Sequence, residues 1–412
     1  MLRARKPRAN SNHRPPVRTS YRDIALLACC QALLLVNNSG LITMNGLVGF
    51  TLVDNKTFAT LGVTSYVLGS ALAAMPAALW MARVGRRRGF MTGSLIAIVG
   101  SATCAVGIAL ANFALYCFGT AIVGVYTAFG LQYRFAAAEV AAPEFKAKAI
   151  SLVLAGGIVG GFIGPTASVW AKDLLPAPFL GSFLVLSAIA LIAMAVQSQV
   201  HVPAPTASER TGGGRPLRVI ARQPVFVVAA MAAALGYGIM NLLMTATPLA
   251  MGFCGHPFSA AAFVIEWHVV GMYAPGFFTG SLIKRFGALK IIFAGALLMA
   301  ACVAVAVSGL AIWQFWTALV VLGVGWNFMY TGGTTLLTET YTPAEKAKTQ
   351  GLNDALVFTV MVISSFSSGA LVSATGWEWM NLGALPFIAV VAGATVWLTW
   401  FRHPRRVAVA KS

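Results

Sequence analysis

Two pairs of residues with soft donor atoms stand on consecutive apolar segments of the chain: Met240 and Met244, then His268 and Met272. Residues four apart lie on one helix face, about a turn from each other. Counted from the loop centre near residue 255, the four side chains fall between 11 and 17 positions away. At a rise of about 1.5 Å per residue, they interleave within roughly 9 Å of depth. Because thioether sulfur and imidazole nitrogen suit Cu(I), the spacing predicts a copper relay between two facing helices.

The alternative is that these four side chains only fill space in the core. Methionine commonly fills irregular gaps between apolar helices, and the chain has 15 methionines. Composition alone predicts about 0.5 Met-x-x-x-Met pairs and about 0.2 His-x-x-x-Met pairs in this chain. One of each occurs, at matching depth, and a histidine inside a membrane segment is costly enough to indicate a function. We therefore take the four residues as a candidate site for transported copper, with no resident cofactor.

Four further residues are singled out by their type and position. Glu266 stands well inside an apolar segment, where a carboxylate indicates cation attraction or proton coupling unless it lies in the hydrated surface. Cys254 and His256 stand in the loop of the hairpin, as candidates for copper capture before transfer inward. Arg134, at the end of the fourth apolar segment, has two interpretations: a functional cation or, as we prefer, an arginine whose charged head reaches the membrane surface.

The composition indicates an integral membrane protein. Hydrophobic residues make up 58% of the 412 residues and charged residues 10%, against about 25% charged residues in a soluble domain. Twelve apolar stretches of spanning length, about 20 residues each, can be laid out along the chain. We therefore expect an all-α integral membrane protein with twelve transmembrane helices.

The distribution of lysine and arginine predicts the orientation in the membrane. The segments on the side of the N-terminus carry 27 of the 29 Lys and Arg residues, and only Lys56 and Lys172 lie on the other side. Cytoplasmic loops carry the excess of positive charge, so both termini are expected in the cytoplasm, with the protein in a bacterial inner membrane. The formal net charge of +18 then reflects topology and contact with anionic lipid, and no nucleic-acid partner is expected.

An internal repeat divides the chain into two halves. The pattern E-x-x-x-P-x-x-K-A-K at 139–148 returns at 339–348, and Arg-Val-Gly at 83–85 is echoed by Arg-Phe-Gly at 285–287. Each copy follows the same helix of a six-helix half, which predicts two parallel repeats. The predicted organisation is a basic cytoplasmic tail at 1–23, an N-terminal six-helix half at 24–200, a cytoplasmic linker at 201–223, a C-terminal six-helix half at 224–401 and a cytoplasmic tail at 402–412.

This plan resembles the major facilitator superfamily of transporters. The sequence Gly-Arg-Arg-Arg at 85–88 resembles the family's loop between the second and third helices, but it lacks the usual acidic residue before the glycine, which calls the gating network of that loop into question. Gly156, Gly160 and Gly164 before Pro165 resemble the family's glycine-proline motif, whose physical content is close helix packing. The resemblance implies secondary transport, with a substrate site near the midplane between the halves.

A narrower resemblance lies in the seventh and eighth segments. Met240, Met244, His268 and Met272 match, position for position, the pattern of the CcoA-like copper importers of bacterial inner membranes, which supply copper to assembly of the cbb-type cytochrome oxidase. This similarity implies import of copper, as an ion or a small complex, with copper chaperones of oxidase assembly as partners. No nucleophile triad, nucleotide loop or catalytic carboxylate pair is found in the sequence, so no enzyme activity is expected.

The rival interpretation is a facilitator transporter of an organic solute, either by riboflavin-like import or by drug export. Riboflavin is a substrate associated with relatives of the copper group, and the glycine-proline motif is the feature that suggests export. Four aromatic side chains would suit a flat ring: Trp267, Trp326, Phe328 and Tyr330. Three amides of the first segment are expected to face the central cavity: Asn37, Asn38 and Asn45.

Overall fold

Helices make up all of the regular structure that is described. The computed structural model of the protein describes residues 19–52, 61–204 and 213–410. Within these ranges no strand occurs, so the all-α prediction is confirmed. The start of the basic tail, Lys56 and part of the linker lie outside the described residues.

The described part of the N-terminal half contains eight α-helical segments. They are α1 (Tyr21–Leu52), α2 (Leu61–Val84), α3 (Arg86–Ala109), α4 (Phe113–Gly130), α5 (Tyr133–Glu139), α6 (Lys146–Ala155), α7 (Gly157–Trp170) and α8 (Leu180–Gln197). The fourth membrane span is α4 followed by α5, with a short break at Leu131 and Gln132. The fifth span is α6 followed by α7, and Gly156 stands at the junction. These two breaks fall where residues of the candidate site are found.

The C-terminal half follows a short linker helix. The segments are α9 (Leu217–Ala221) in the linker, then α10 (Pro224–Phe253), α11 (Phe258–Tyr273), α12 (Gly276–Phe286), α13 (Ala288–Ala306), α14 (Ile312–Leu337), α15 (Lys346–Leu382, bent at Gly376) and α16 (Leu385–Ala410). The two segments that carry the methionine and histidine pairs therefore correspond to α10 and to α11 with α12.

The number of spans agrees with the prediction. Eleven helices of the described chain are long and apolar enough to cross a membrane. The eighth span falls short of that length because Ala274 and Pro275 divide it into α11 and α12, and proline interrupts a helix by removing a hydrogen-bond donor. With this divided helix counted, the described residues contain twelve spans.

The internal repeat is visible in the backbone. Gly85 and Gly287 precede the third and ninth spans with nearly the same dihedral angles, φ 88° and ψ 159° against φ 87° and ψ 153°. Glycine adopts positive φ without the steric cost of a Cβ atom, which explains why both copies carry it. Short 3₁₀ turns likewise open the fifth and eleventh spans, at Pro143–Phe145 and Pro343–Glu345.

The two halves meet mainly along four helix pairs of the described chain. There, α2 packs against α15, α6 against both α12 and α14, and α7 against α11. One large apolar core, which includes Phe90 and Tyr126, lies mainly in the N-terminal half, and another, which includes Trp326 and Met240, lies mainly in the C-terminal half. We call the face formed by Tyr21, Gly85 and Lys346 the basic face, since it carries the positively charged loops, and the other side the opposite face.

Candidate functional site

The methionines of the predicted relay lie in the core of the C-terminal half. Met240 and Met272 are almost fully buried, and Met244 packs against the same core from its edge. The helices that carry the pairs, α10 and α11, make most of their contacts with α14 and α15 rather than with each other. The surroundings of the three sulfur atoms are therefore those of an apolar core, in which methionine is a usual filler.

His268 is fully buried and joins two helices. Its Nδ1 lies 2.6 Å from the carbonyl oxygen of Leu319 on α14, so Nδ1–H donates to that oxygen. Its Nε2 has no hydrogen-bond partner among the described residues. This tautomer leaves the Nε2 lone pair available, as in histidines that bind a metal and donate their other N–H to a carbonyl. In the described ranges, no three His, Cys, Asp or Glu side chains gather into a group that could hold a metal ion.

Of the three capture or coupling candidates, two have exposed side chains and the third lies at the edge of the core. Glu266 stands on α11, but its side chain is exposed rather than enclosed between helices, which favours the surface alternative. Cys254 is an exposed free thiol next to the hairpin loop. The Nε2 atom of His256 lies 2.7 Å from the carbonyl oxygen of Leu310, and the ring contacts Phe315 edge to face.

Arg134 is buried, so its interpretation as a surface-reaching arginine is wrong. It is the second residue of the short helix α5, is 1% exposed, and forms an ion pair with Asp354 of α15, also 1% exposed. The pair joins the N-terminal half to the C-terminal half. Taking two charges out of water is costly, and their close approach with added hydrogen bonds compensates. Asp354 was overlooked in the sequence because it stands near the end of its apolar segment.

Hydrogen bonds from both halves converge on Asp354. Gln132 of the N-terminal half donates to Oδ2 at 2.6 Å, and Asn353 donates to Oδ1 at 3.1 Å. The guanidinium group of Arg134 bonds to the same Oδ1 and lies 4.5 Å from the ring centroid of Tyr330. A positive charge over an aromatic face is attracted by the ring's quadrupole. The ion pair thus borders directly on an aromatic cluster.

The aromatic cluster consists of Tyr237, Tyr273, Trp326 and Tyr330. Trp326 and Tyr330 are stacked, with ring centroids 5.1 Å apart and an interplanar angle of 15°. Tyr237 meets both edge to face, at 5.3 and 5.4 Å, and Tyr273 meets Trp326 at 5.7 Å. These residues come from α10, α11 and α14, so tertiary packing brings Tyr237 and Tyr273 to the pair on α14.

Two of the four aromatic residues proposed from the sequence belong to this cluster. Trp326 and Tyr330 stand four apart on α14 and share one face. Phe328, on another face, packs against Phe278. Trp267 is 42% exposed and contacts Phe263 away from the cluster. Tyr237 and Tyr273 were not singled out from the sequence, where nothing distinguishes them from other aromatic residues.

A chain of hydrogen bonds joins three helices inside the N-terminal half. The hydroxyl of Tyr66 lies 2.8 Å from that of Thr127, which donates to Asn38 at 3.1 Å. Asn38 of α1 therefore belongs to a hydrogen-bonded group with Tyr66 and Thr127, and its exposure to a central cavity stays a prediction.

Asn37 and Asn45 are used inside the N-terminal half. Asn37 donates to the carbonyl oxygen of Leu186, and Asn45 accepts a hydrogen bond from Tyr116. The expectation that all three amides of the first span face the cavity is therefore wrong for these two. Helical periodicity alone does not separate the cavity side of α1 from the side that packs against its own half.

The glycine motif provides close helix packing on two sides. Gly156, Gly160 and Gly164 lie against the backbone of α1, where a Cβ atom would collide. A Cβ on Gly157, on the adjacent face, would lie 2.7 Å from Cε1 of Tyr273. Small residues allow such close approach of membrane helices. Gly157, directly after the first glycine of the motif, therefore allows Tyr273 of the C-terminal half to pack against the N-terminal half.

Ion pairs close the basic face between the halves. The guanidinium group of Arg86 lies 2.7 Å from Glu139 and donates to Gln350 of the other half at 2.7 Å. Lys346 approaches Glu139 to 3.4 Å. Glu139 thus supplies the negative charge that the loop after the second span lacks in sequence. The charged network that the sequence left in question is therefore present, and its acidic residue, Glu139, ends α5.

Comparison with known proteins identifies the family. The chain matches the sequence model of the Major Facilitator Superfamily over residues 27–275 and 255–412. It belongs to this superfamily. It is accordingly a secondary transporter in a membrane and not an enzyme, acting on a small-molecule substrate.

Two relatives illustrate the range of similarity. The chain is 40% identical over 375 residues to the riboflavin transporter RfnT of Brucella anthropi, covering 90% of this chain and 94% of the relative. It is 28% identical over 381 residues to the uncharacterized MFS-type transporter YddS of Bacillus subtilis, covering 88% and 87%.

Solved structures share the fold at much lower identity. The E. coli fucose:proton symporter FucP superposes with a TM-score of 0.73 at 17% identity, covering 92% of this chain and 99% of that one. A bacterial homologue of the iron transporter ferroportin, in an outward-facing state, gives a TM-score of 0.71 at 12% identity, covering 91% and 98%. At these identities the likeness concerns the fold.

Proposed function

We propose that the protein imports a flat heteroaromatic solute of the riboflavin class across the bacterial plasma membrane. The observation that carries this proposal is the aromatic cluster next to Arg134, at the boundary between the halves where solutes of this fold bind. Flat rings gain free energy by stacking on aromatic side chains, and a nearby cation with free N–H groups suits ring carbonyl oxygens. The named relative at 40% identity is a riboflavin transporter, which supports the same class.

Uptake in cells tests this proposal. Expression in a bacterium that requires riboflavin and lacks its own riboflavin transporter should restore growth at low riboflavin concentration and produce saturable uptake of labelled riboflavin. Replacing a stacking ring by alanine costs about 1–3 kcal/mol, so Tyr237→Ala should weaken riboflavin binding roughly 5- to 150-fold. Trp267→Ala is the matched control, since this ring is 42% exposed and lies outside the cluster. Absence of riboflavin uptake at normal expression contradicts the proposal.

Copper import is the second candidate, and one observation favours it. The Nε2 atom of His268 is buried without a partner while Nδ1 is held by a carbonyl, the arrangement of a histidine prepared for a metal. Met240, Met244 and Met272 would then be the accompanying sulfur ligands, and copper chaperones of oxidase assembly would be partners. Under this candidate, Met244→Ala and His268→Ala each abolish copper accumulation. Normal copper accumulation in both variants at unchanged protein levels excludes it.

We also propose that the basic face lies in the cytoplasm, with both termini on that side. The excess of Lys and Arg on this face supports the orientation. Reporter fusions test it: a reporter active in the cytoplasm should work when fused after Ser412, and one active in the periplasm should not. The opposite result would place the basic face in the periplasm.

A further inference from the structure

Several buried polar atoms around the ion pair lack a partner among the described residues. Arg134 uses Nη2 for Asp354, but its Nε and Nη1 atoms are unpaired. The Oδ1 atom of Asn353, Nε1 of Trp326 and the hydroxyl of Tyr330 are unpaired as well. A buried polar group without a hydrogen bond is unfavourable, more so when it is charged. Water or a solute with matching polar atoms must therefore satisfy this group in the working protein.

The arrangement of these atoms is specific. Arg134 and Asn353 both donate to Oδ1 of Asp354, so the two side chains are neighbours across the boundary between the halves. Together they present two N–H donors and one carbonyl acceptor. The ring of Tyr330 lies directly under the guanidinium group, and Trp326 is stacked on that ring. A solute that satisfies this group must therefore offer two acceptors to Arg134 and one donor to Asn353.

We propose that Arg134 and Asn353 recognise the imide edge of the transported heteroaromatic ring, in which one N–H group stands between two carbonyl groups. The Nε and Nη1 atoms of Arg134 donate to the carbonyl oxygens, and Oδ1 of Asn353 accepts the imide N–H. This inference rests on the proposed function, since it names the part of the solute that the site selects. It also explains why an arginine, with its fixed planar donors, stands at this position rather than a lysine.

The position of the two residues gives this contact a role in transport. Arg134 belongs to α5 of the N-terminal half and Asn353 to α15 of the C-terminal half. An imide edge bound by both residues connects the two halves through the solute. Alternating access requires both halves to respond together to a bound solute.

The exposure of the rings indicates the entry side. Trp326 and Tyr330 are 1% exposed while Tyr237 is partly exposed, so Tyr237 marks the side from which a ring reaches the stack.

The test compares two flavins on the full-length protein in lipid nanodiscs. Riboflavin and N3-methylriboflavin, in which a methyl group replaces the imide hydrogen, are titrated and binding is followed by quenching of flavin fluorescence. The unmodified protein should bind the methylated flavin at least about tenfold more weakly, because one hydrogen bond is lost and the acceptor stays unpaired. This comparison needs no variant, so misfolding cannot obscure it.

Two variants assign the discrimination to Asn353. In Asn353→Ala, the preference for riboflavin over its methylated form should fall to less than about twofold. Asn381→Ala is the matched control, because Asn381 is also a buried amide of α15 with an unpaired Oδ1, bonded through Nδ2 to Trp377. It should keep the full preference. Arg134→Lys should weaken binding of both flavins about tenfold or more, since a single ammonium does not replace two planar donors.

The outcomes separate the inference from the function it rests on. If the unmodified protein binds both flavins equally well, water satisfies the polar atoms and the inference is wrong, whereas riboflavin transport stands. The inference is equally wrong if Asn353→Ala retains the preference. If the unmodified protein binds neither flavin, the proposed function fails and the inference fails with it.

Discussion

Replacing Asp354 by asparagine should open the basic face between the halves. The substitution keeps the size of the side chain and its ability to accept hydrogen bonds from Gln132, but it leaves the charge of Arg134 without its partner. Both members of the ion pair are 1% exposed, so solvent does not screen the loss. Breaking a buried ion pair by removing one partner costs about 3–5 kcal/mol.

The loss of the ion pair destabilises one conformation of the transporter. The pair joins α5 to α15 across the boundary, so it exists when the halves are closed at the basic face and is lost when they part there. A free-energy change of about 3–5 kcal/mol shifts the equilibrium between the two states roughly 100- to 5000-fold toward opening at the basic face. The Arg134→Met and Asp354→Leu double variant removes both charges and should restore most of the closure, because buried ion pairs can be replaced by apolar residues of similar volume.

Alkylation of a buried cysteine measures this shift. Met81 is 2% exposed and lines a small cavity between the halves at the basic face, together with Lys346. In protein whose six native cysteines have been replaced, Met81→Cys should react slowly with a polar maleimide and much faster once Asp354→Asn is added. Glu144→Gln, an exposed charge change on the same face, is the control and should leave the rate unchanged. Equal alkylation rates with and without Asp354→Asn would refute the conclusion that the ion pair keeps the basic face closed.

Three further predictions concern single contacts. Gly157→Ala should slow riboflavin uptake at unchanged protein levels, because its Cβ would lie 2.7 Å from Cε1 of Tyr273, and such overpacking costs about 1–3 kcal/mol. Gly393→Ala, where a Cβ meets nothing within 4 Å inside a helix, should instead raise the thermal unfolding temperature, through a gain of about 0.5–1 kcal/mol; a decrease would contradict the packing described. His268→Leu should lower the unfolding temperature through a loss of about 1–3 kcal/mol, because the carbonyl oxygen of Leu319 loses its donor. The affinity for riboflavin should stay unchanged. Weaker riboflavin binding would instead place His268 in the solute site.

The spans and the family could be predicted from the sequence because lipid imposes local requirements. Each crossing needs about 20 apolar residues in a helix that satisfies its own backbone groups, so the pattern along the chain is sufficient to place it. The repeat was equally readable, since Gly85 and Gly287 must both adopt positive φ and the sequence shows the glycine in each copy. The divided eighth span also follows locally, from Pro275.

The candidate site could be predicted only in part, because helical periodicity shows which residues share a face but not what that face meets. Tertiary packing places Met240 and Met272 in an apolar core, which their spacing along the helices does not reveal. Trp326 and Tyr330 share a face in the sequence, but the third ring, Tyr237, comes from another helix about 90 positions earlier.

The charges were decided entirely by tertiary structure. Arg134 and Asp354 are 220 positions apart, and each alone looks like a polar residue at the end of a membrane helix. Glu139 supplies the acidic partner that the loop of Arg86 lacks, from 53 positions away. A buried charge is stable only beside its partner, and which partner is near depends on how the two halves pack. Local sequence therefore determined the helices, while the contact between the halves determined which of their polar residues form a site.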